Sequence, residues 1–158
     1  MIVHPFPPLY DKNSRVLILG SFPSVRSREQ NFFYGHERNR FWQVVASLFG
    51  AQTPDTIEKK KELILTNGLA LWDVIKSCEI AGSADASIKN VTPNDIPVIL
   101  NGAPIERIFT NGKTAFLLYR KFILEKAERE AVCLPSTSPA NAAFSLSRLI
   151  DAWRIIKQ

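Results

Sequence analysis

A run of four aliphatic residues, from Val16 to Leu19, ends at Gly20 and limits the possible folds of this chain more than any other stretch. Successive apolar residues without polar alternation are typical of a strand that is covered on both faces, as in a parallel sheet. The segment 21–24, Ser-Phe-Pro-Ser, has two hydroxyls, a proline with a fixed φ and no regular period, which indicates a loop. Because open α/β sheets bind ligands at the carboxyl ends of their strands, we expect a functional site at this loop.

The alternation of apolar runs with helical periods continues to the end of the chain. Strands that alternate with helices predict a parallel sheet between two helical layers, joined by right-handed crossovers. We therefore expect an α/β fold, a three-layer αβα sandwich with a central four-stranded parallel sheet, whose strand ends meet at one edge. The predicted strands span residues 16–19, 68–72, 105–110 and 131–134. The predicted helices span residues 39–50, 95–100, 113–127 and 140–156, and another helix starts at residue 54. Two segments are predicted to be irregular, an arm at 1–14 and a site loop at 76–90.

Length and charge restrict the class of protein. A chain of 158 residues is long enough for one domain, spanning 1–158, that buries roughly two-thirds of its unfolded surface. Lys and Arg exceed Asp and Glu by five, and the pI is near 9.4, which favours a polyanionic partner. Basic residues in the loops around the predicted site can neutralise phosphates, and these are Arg26, Arg28, Arg38 and Arg40.

The two cysteines, Cys78 and Cys133, lie far apart in the sequence, without a CxxC pattern or a neighbouring histidine. This spacing supports neither a zinc site nor an iron-sulfur cluster, so we expect no metal and no cofactor. The amino-terminal sequence is too short an apolar start for export, and no run reaches the ~18 apolar residues of a membrane span. We therefore expect a cytoplasmic protein with free thiols and no membrane contact.

A second candidate stretch follows the first loop. The aromatic cluster 32–34 precedes the sequence Gly-His-Glu-Arg and then Asn39, which can cap a helix whose apolar positions begin at Phe41. Asn111 follows the third predicted strand, where its amide opens onto the same edge of the sheet. The sequence therefore places two amide side chains at the predicted site.

These stretches resemble a known family. GSFPS at 20–24 and FFYGHERNRFW at 32–42 are similar to the first active-site region of the uracil-DNA glycosylase superfamily. GLALWDVIKSCEIAGSADASIKN at 68–90 and LPSTSPAN at 134–141 narrow the resemblance to its hypoxanthine (deoxyinosine)-DNA glycosylase branch. The resemblance implies a uracil-DNA glycosylase-like fold and a monofunctional enzyme that hydrolyses the N-glycosidic bond of deaminated bases in DNA, hypoxanthine first.

The resemblance also implies roles for individual residues. Asn39 is the residue that this branch uses for catalysis, either on the departing base or on the water. Tyr34 matches the aromatic residue on which the family stacks the base, and Phe22 is a second stacking candidate. Ser21 and His36 complete the base pocket that we expect beside these residues.

Two departures from the family pattern concern catalysis. Other branches place an Asp or Asn at the position of Phe22 to hold the attacking water, and a His is often found where this chain has Leu134. Without these groups, we expect catalysis to depend on stabilising the negative charge that develops on the leaving base.

The base itself is expected to be read by an amide. The Watson–Crick edge of hypoxanthine presents an N–H donor beside a carbonyl acceptor, and an Asn side chain presents the complementary pair. Either Asn39 or Asn111 can be the amide that reads this edge of the base. Uracil displays the same pair, so pocket volume must separate purine from pyrimidine.

The LPSTSPAN segment is expected to hold the DNA backbone. Hydroxyls, main-chain amides and the start of the last helix suit the phosphates that flank an extruded nucleotide. Neither Ala140 nor Asn141 is a bulky wedge, so we expect weak filling of the gap left in the duplex. The residues expected to contact DNA are Ser24, Ser136, Thr137, Ser138 and Asn141.

Three alternatives stay open. The first is a uracil- or xanthine-preferring glycosylase of the same fold, and the second is a catalytically silent DNA-binding module. The third, a small-molecule α/β hydrolase, is disfavoured because the chain has no GxSxG motif and only two histidines. In the preferred interpretation a monomer acts on double- or single-stranded DNA containing deaminated bases, in association with the nucleoid in a prokaryote. No lysine is placed as a Schiff-base nucleophile, so we expect no lyase step.

Overall fold

The computed structural model describes all 158 residues of the chain. The strands are β1 Ile2–Val3, β2 Val16–Gly20, β3 Leu69–Asp73, β4 Ile75–Glu79, β5 Lys89–Pro93, β6 Arg107–Asn111 and β7 Val132–Leu134. The helices are α1 Val25–Gln30, α2 Phe41–Leu48, α3 Ile57–Thr66, α4 Pro97–Gly102, α5 Lys113–Phe122, α6 Leu124–Ala127 and α7 Leu146–Trp153, with short 3₁₀ turns at Asp85–Ser87 and Arg154–Lys157.

The central sheet has four parallel strands in the order β3-β2-β6-β7. All five residues of β2 are buried, as its unbroken aliphatic run predicts. Val16 and Ile18 join a core that includes α2, α3 and α7, whereas Leu17 and Leu19 join the core on the opposite face with α4 and α5. The predicted α/β fold, with a four-stranded parallel sheet between two helical layers, is therefore confirmed.

A second sheet was not predicted. Strands β1, β4 and β5 pair antiparallel in the order β1-β4-β5, so the predicted irregular arm and site loop were wrong where these strands lie. The strands escaped detection because β4 and β5 are mostly polar or half exposed and their pairing contains register shifts. Ile75 and Cys78 of β4 are nonetheless buried against Phe22 in a small third core. Residues 4–14 of the arm and the segment between β4 and β5 stay irregular, apart from an isolated bridge at Leu9 and the 3₁₀ turn Asp85–Ser87.

The helices differ from prediction mainly at their ends. The last helix begins at Leu146, with Ser145 as its N-cap, rather than near residue 140. The preceding segment stays irregular because the Arg40 guanidinium donates to the carbonyls of Ser138, Asn141 and Phe144. None of the helices has the length and hydrophobicity that a membrane crossing requires.

Candidate active site

The carboxyl ends of β2, β3 and β6 open onto a cavity of about 350 Å³. This volume lies at the lower end of the range of small-molecule sites in proteins. Ten of the eleven residues that the sequence predicted for the site line the cavity, and Asn141 alone does not. The ten are Ser21, Phe22, Ser24, Tyr34, His36, Asn39, Asn111, Ser136, Thr137 and Ser138.

Asn39 holds its amide in one orientation. Its Oδ1 accepts a hydrogen bond from the backbone N–H of Phe41 at 2.9 Å and one from the Thr137 hydroxyl at 2.8 Å. The N-cap of α2 is Arg40, without a side-chain cap, so the prediction that Asn39 caps this helix was wrong; its bond to Phe41 forms an Asx turn that leads into α2. Because both acceptor positions of Oδ1 are used, the Nδ2 amino group, which has no protein partner, remains as a hydrogen-bond donor at the cavity.

Thr137 connects the two amides that the sequence singled out. Its side chain is fully buried, and its hydroxyl accepts from Asn111 Nδ2 at 2.9 Å while donating to Asn39. The backbone N–H of Thr137 also donates to Asn111 Oδ1 at 3.0 Å. Asn111 therefore uses both ends of its amide on Thr137, and the contact shown for Thr137 positions Asn39. A phosphate contact by Thr137 stays a prediction.

Tyr34 is held in an uncommon conformation. Its φ is +51°, in the left-handed region that L-residues rarely adopt, and its ring stacks on Phe41 at a centroid distance of 4.0 Å. The hydroxyl is buried without a hydrogen-bond partner. Burial, and then the charge of Asp73, raise the pKa of Tyr34 far above its ordinary value, so the hydroxyl keeps its proton.

The first loop closes one side of the cavity. The Ser24 side chain accepts from the backbone N–H of Ser27 and caps α1, a short helix that the sequence did not predict. Ser21 donates to Asp85, which comes from the loop between β4 and β5. Phe22 is mostly buried against β4, so only part of its ring faces the cavity.

The serine-rich loop after β7 forms the opposite wall. Ser136 Oγ accepts from the backbone N–H of Ser138 at 3.1 Å, and Ser138 Oγ accepts from that of Ala140 at 3.2 Å. Asn141 turns away and donates to the Ser136 carbonyl at 3.0 Å. The loop is therefore shaped by its own side chains, which is the turn chemistry that serine and asparagine favour.

His36 lies at the rim of the cavity, and its Nδ1 accepts from the backbone N–H of Arg38 at 3.1 Å. Of the four basic residues expected around the site, Arg40 is committed to backbone carbonyls, and Arg28 donates to the Gly82 carbonyl and lies over the Phe22 ring. Arg26 and Arg38 keep exposed side chains, and Arg26 forms an ion pair with Glu29 of the same helix at 3.6 Å. Phosphate contacts by these two arginines stay a prediction.

Sequence reasoning missed two carboxylates in the cavity. Asp73 ends β3 and pairs with His4 at 2.7 Å, an arrangement that needs the unpredicted strand β1. Burial raises the pKa of Asp85, and the hydrogen bond from Ser21 partly offsets this. Asp73 could have been predicted from its position at the end of an apolar strand. No sequence pattern indicated its partner His4.

The arrangement provides neutral donors from Asn39 and Tyr34, a carboxylate from Asp73 and hydroxyls on both walls. No group of three or more His, Cys, Asp or Glu side chains is placed to hold a metal ion. Such a cavity suits a flat polar molecule with several hydrogen-bonding groups, such as a nucleobase.

Comparisons with known proteins agree with this geometry. Residues 7–157 match the family described as the Uracil DNA glycosylase superfamily. A hypoxanthine DNA glycosylase from Methanosarcina acetivorans is 35% identical over 150 residues, which cover 94% of each chain. A protein of the same name from Methanosarcina barkeri is 34% identical over 145 residues, or 90% of each chain.

A solved structure shares the fold. The solution NMR structure of a candidate uracil DNA glycosylase from Methanosarcina acetivorans matches with a TM-score of 0.80 at 33% sequence identity, covering 97% of each chain. With the matched family spanning nearly every residue, this chain belongs to the uracil DNA glycosylase superfamily.

Proposed function

We propose that this protein is a monofunctional DNA glycosylase that hydrolyses the N-glycosidic bond of deaminated bases, with hypoxanthine as its preferred base. The observation that carries the proposal is the Asn39 amide, whose Oδ1 is occupied by Phe41 and Thr137 and whose Nδ2 is a free donor at the cavity. Relatives that share about a third of its sequence bear the name hypoxanthine DNA glycosylase.

The reaction begins with extrusion of the nucleotide from the duplex into the cavity. The Phe22 ring edge and the Tyr34 side chain flank the base there. As the bond to C1′ lengthens, negative charge develops on the ring nitrogens of the base. A preorganised amide donor stabilises that charge without having to reorient, and stabilisation of this kind usually contributes more to catalysis than any other effect.

Water completes the hydrolysis by attacking C1′ of the sugar. None of the residues that line the cavity is a lysine, so the site offers no amine for a Schiff base with the sugar. The products are the free base and an intact abasic strand, which makes the enzyme monofunctional. Hydroxyls of Ser136 and Ser138 and the exposed Arg26 and Arg38 are the groups proposed to hold the flanking phosphates.

The cavity is built entirely from one chain, so we propose that a monomer is sufficient for activity. We propose duplex DNA as the substrate context, with the deaminated strand bound across the serine loop. The protein then works at the chromosome, where deamination occurs.

A panel of oligonucleotide duplexes tests the proposal. Each carries one hypoxanthine, uracil, xanthine or unmodified base, and mass spectrometry identifies the base released by an excess of the full chain. We expect hypoxanthine to be released fastest. Faster release of uracil or xanthine would reassign the preferred base, and binding without release of any base would identify a silent DNA-binding module.

A further inference from the structure

The Asn39 amide has no acceptor position free for an incoming base, and Asn111 already directs its Oδ1 to the backbone of Thr137. Asn39 Oδ1 already accepts from Phe41 and Thr137, and Asn111 Oδ1 accepts from the Thr137 backbone. Hypoxanthine presents a ring N–H at N1, and that proton needs an acceptor once it leaves water. Asn39 therefore lacks the hydrogen-bond acceptor that the base-reading role expected for an asparagine requires.

Asp73 supplies the missing acceptor. It ends β3 at the floor of the cavity, and the residue is only 4% exposed. Its Oδ2 is bound to His4 Nε2 at 2.7 Å, while Oδ1 has no hydrogen-bond partner in the protein. This oxygen is therefore open to the cavity, where a ligand can donate a hydrogen bond to it.

His4 fixes the direction of this carboxylate. The backbone N–H of Phe6 can only donate, and it points to His4 Nδ1 at 3.5 Å, so the imidazole proton lies on Nε2 and is donated to Asp73. The ring packs edge-on against Phe6 at a centroid distance of 4.4 Å and its side chain is 2% exposed. The Asp73 side chain therefore cannot rotate without breaking a buried bond.

A donor lies beside this acceptor. A Cβ added at Gly20 would collide with Asp73 Oδ1 and would lie 3.3 Å from Tyr34 Oη, so both oxygens border the space that this glycine leaves open. The Tyr34 hydroxyl is buried without a partner. A hydroxyl donor next to a carboxylate acceptor matches a carbonyl beside a ring N–H.

Resting on the function proposed above, we infer that Asp73, oriented by His4 and flanked by Tyr34, distinguishes hypoxanthine from its amino parent adenine. Hypoxanthine offers N1–H and O6 to this pair, whereas adenine offers an N1 lone pair and an N6 amino group, the reverse pattern. An asparagine amide can flip to suit either base. A carboxylate accepts and never donates, so it rejects adenine without any conformational choice.

This selectivity has a cost in rate. A carboxylate next to the base opposes the negative charge that develops on it during departure. Asn39 must offset that cost from the other side of the cavity. Because the two effects act in opposite directions on the cleavage rate, binding reports the selectivity more directly than excision does.

The test measures binding of the full chain to two duplexes that resist cleavage, each with one 2′-fluoro nucleotide, carrying hypoxanthine in one and adenine in the other. Fluorescence anisotropy gives the affinity ratio between them. We expect the wild-type chain to prefer hypoxanthine and Asp73→Asn to lower the ratio about 10²-fold, because the new amino group occupies the acceptor position. Tyr34→Phe lowers it by about 10-fold, since one neutral hydrogen bond is lost.

His4 is tested as a positioning residue by rescue. His4→Ala is expected to reduce the ratio, and His4→Gln to restore most of it, because the Gln amide can donate to Oδ2 in place of the imidazole. A purely structural role predicts that both variants bind alike. Asp151→Asn, on the exposed face of α7, is the matched control and leaves the ratio unchanged.

The outcomes separate this inference from the proposed function. An unchanged ratio in Asp73→Asn, or no preference in the wild-type chain, overturns the role of Asp73. If the wild-type chain prefers the hypoxanthine duplex through Asp73 yet releases no base from cleavable DNA, the proposed glycosylase activity is wrong and the role of Asp73 stands.

Discussion

At the scale of single residues, the site depends on one short chain of hydrogen bonds. Asn111 holds Thr137, Thr137 holds Asn39, and Asn39 presents its amino group to the cavity. Each link fixes the next, so the donor needs no reorganisation when charge develops on the base.

Thr137→Val removes the middle link while keeping the volume of the side chain. We expect single-turnover release of hypoxanthine to fall by roughly 10-fold to 10²-fold, because a misplaced donor loses much of its effect. Chemical-quench experiments with enzyme in excess over the duplex measure this rate of release. Thr137→Ser keeps the hydroxyl and is expected to stay within a few-fold of wild type, and equal losses in both variants would contradict the positioning role.

The sequence predicted these residues better than it predicted their roles. Asn39, Asn111 and Thr137 follow apolar strands or precede a helix, and such positions are visible in the residue order alone. Their partners are not, since the contact between Asn39 and Thr137 joins residues 98 positions apart. His4 is a stronger case, because only the pairing of β1 with β4 brings it to Asp73.

At the scale of elements, the strands of the central sheet, which have apolar runs, were predicted correctly, and the more polar strands β4 and β5 were not, although they are as long as β2. Strand β2 is buried on both faces and its aliphatic run leaves no alternative. In β4 the buried residues Ile75 and Cys78 lie three positions apart, and its pairing with β5 contains register shifts, so the sequence shows no clear alternation. Ser145 is a local cap signal for the start of α7, but the irregular segment before it is held by Arg40, a residue about a hundred positions earlier, and no local signal shows that contact.

Arg40 joins the start of α2 to the serine loop. Its guanidinium serves three carbonyls, and a lysine ammonium cannot reproduce that planar fork. We expect Arg40→Lys to lower the free energy of unfolding by about 2 kcal/mol, since buried carbonyls lose their donors. Urea titration followed by circular dichroism measures the change. Arg120→Lys, exposed on α5, is the control and is expected to be neutral.

Tyr119 ties α5 to the turn before β7. Its side chain is fully buried, its hydroxyl donates to the Arg129 carbonyl at 2.5 Å, and burial raises the pKa of Tyr119 to about 12. A tyrosine in the unfolded chain titrates near 10, so the folded state binds this proton more tightly. The stability that it contributes is present below pH 10 and is lost as the pH rises through 12.

Thermal unfolding between pH 8 and 12 tests this dependence, roughly spanning the two titrations. Tyr119→Phe is expected to be less stable than wild type at neutral pH, because the Arg129 carbonyl loses its donor, but to lose less stability at high pH. Parallel curves for the two proteins would show that Tyr119 does not titrate in this window. Tyr10→Phe, which is only partly buried, serves as the control.

Across the protein as a whole, the excess of five positive charges favours DNA, but its distribution matters more than its sum. Affinity for duplex DNA falls with salt by about 0.9 logarithmic units per neutralised phosphate for each tenfold rise in salt. Arg38→Ala is expected to reduce this slope by about 1, and Arg26→Ala likewise. Fluorescence anisotropy at several salt concentrations gives the slopes.

The controls distinguish phosphate contact from general charge. Arg120→Ala removes the same charge from a helix that does not line the cavity, so its slope is expected to match wild type. If Arg38→Ala and Arg120→Ala change the slope equally, the loop arginines have no special contact with DNA and the proposed phosphate contacts fail.

The free amino group of Asn39 is the group that we hold responsible for departure of the base. Single-turnover release of hypoxanthine from a duplex, compared between wild type and Asn39→Ala, tests this role, with Asn101→Ala, at an exposed position of α4, as the control. We expect Asn39→Ala to slow release by about 10²-fold or more and Asn101→Ala to leave the rate unchanged. Release at a near wild-type rate by folded Asn39→Ala would contradict it.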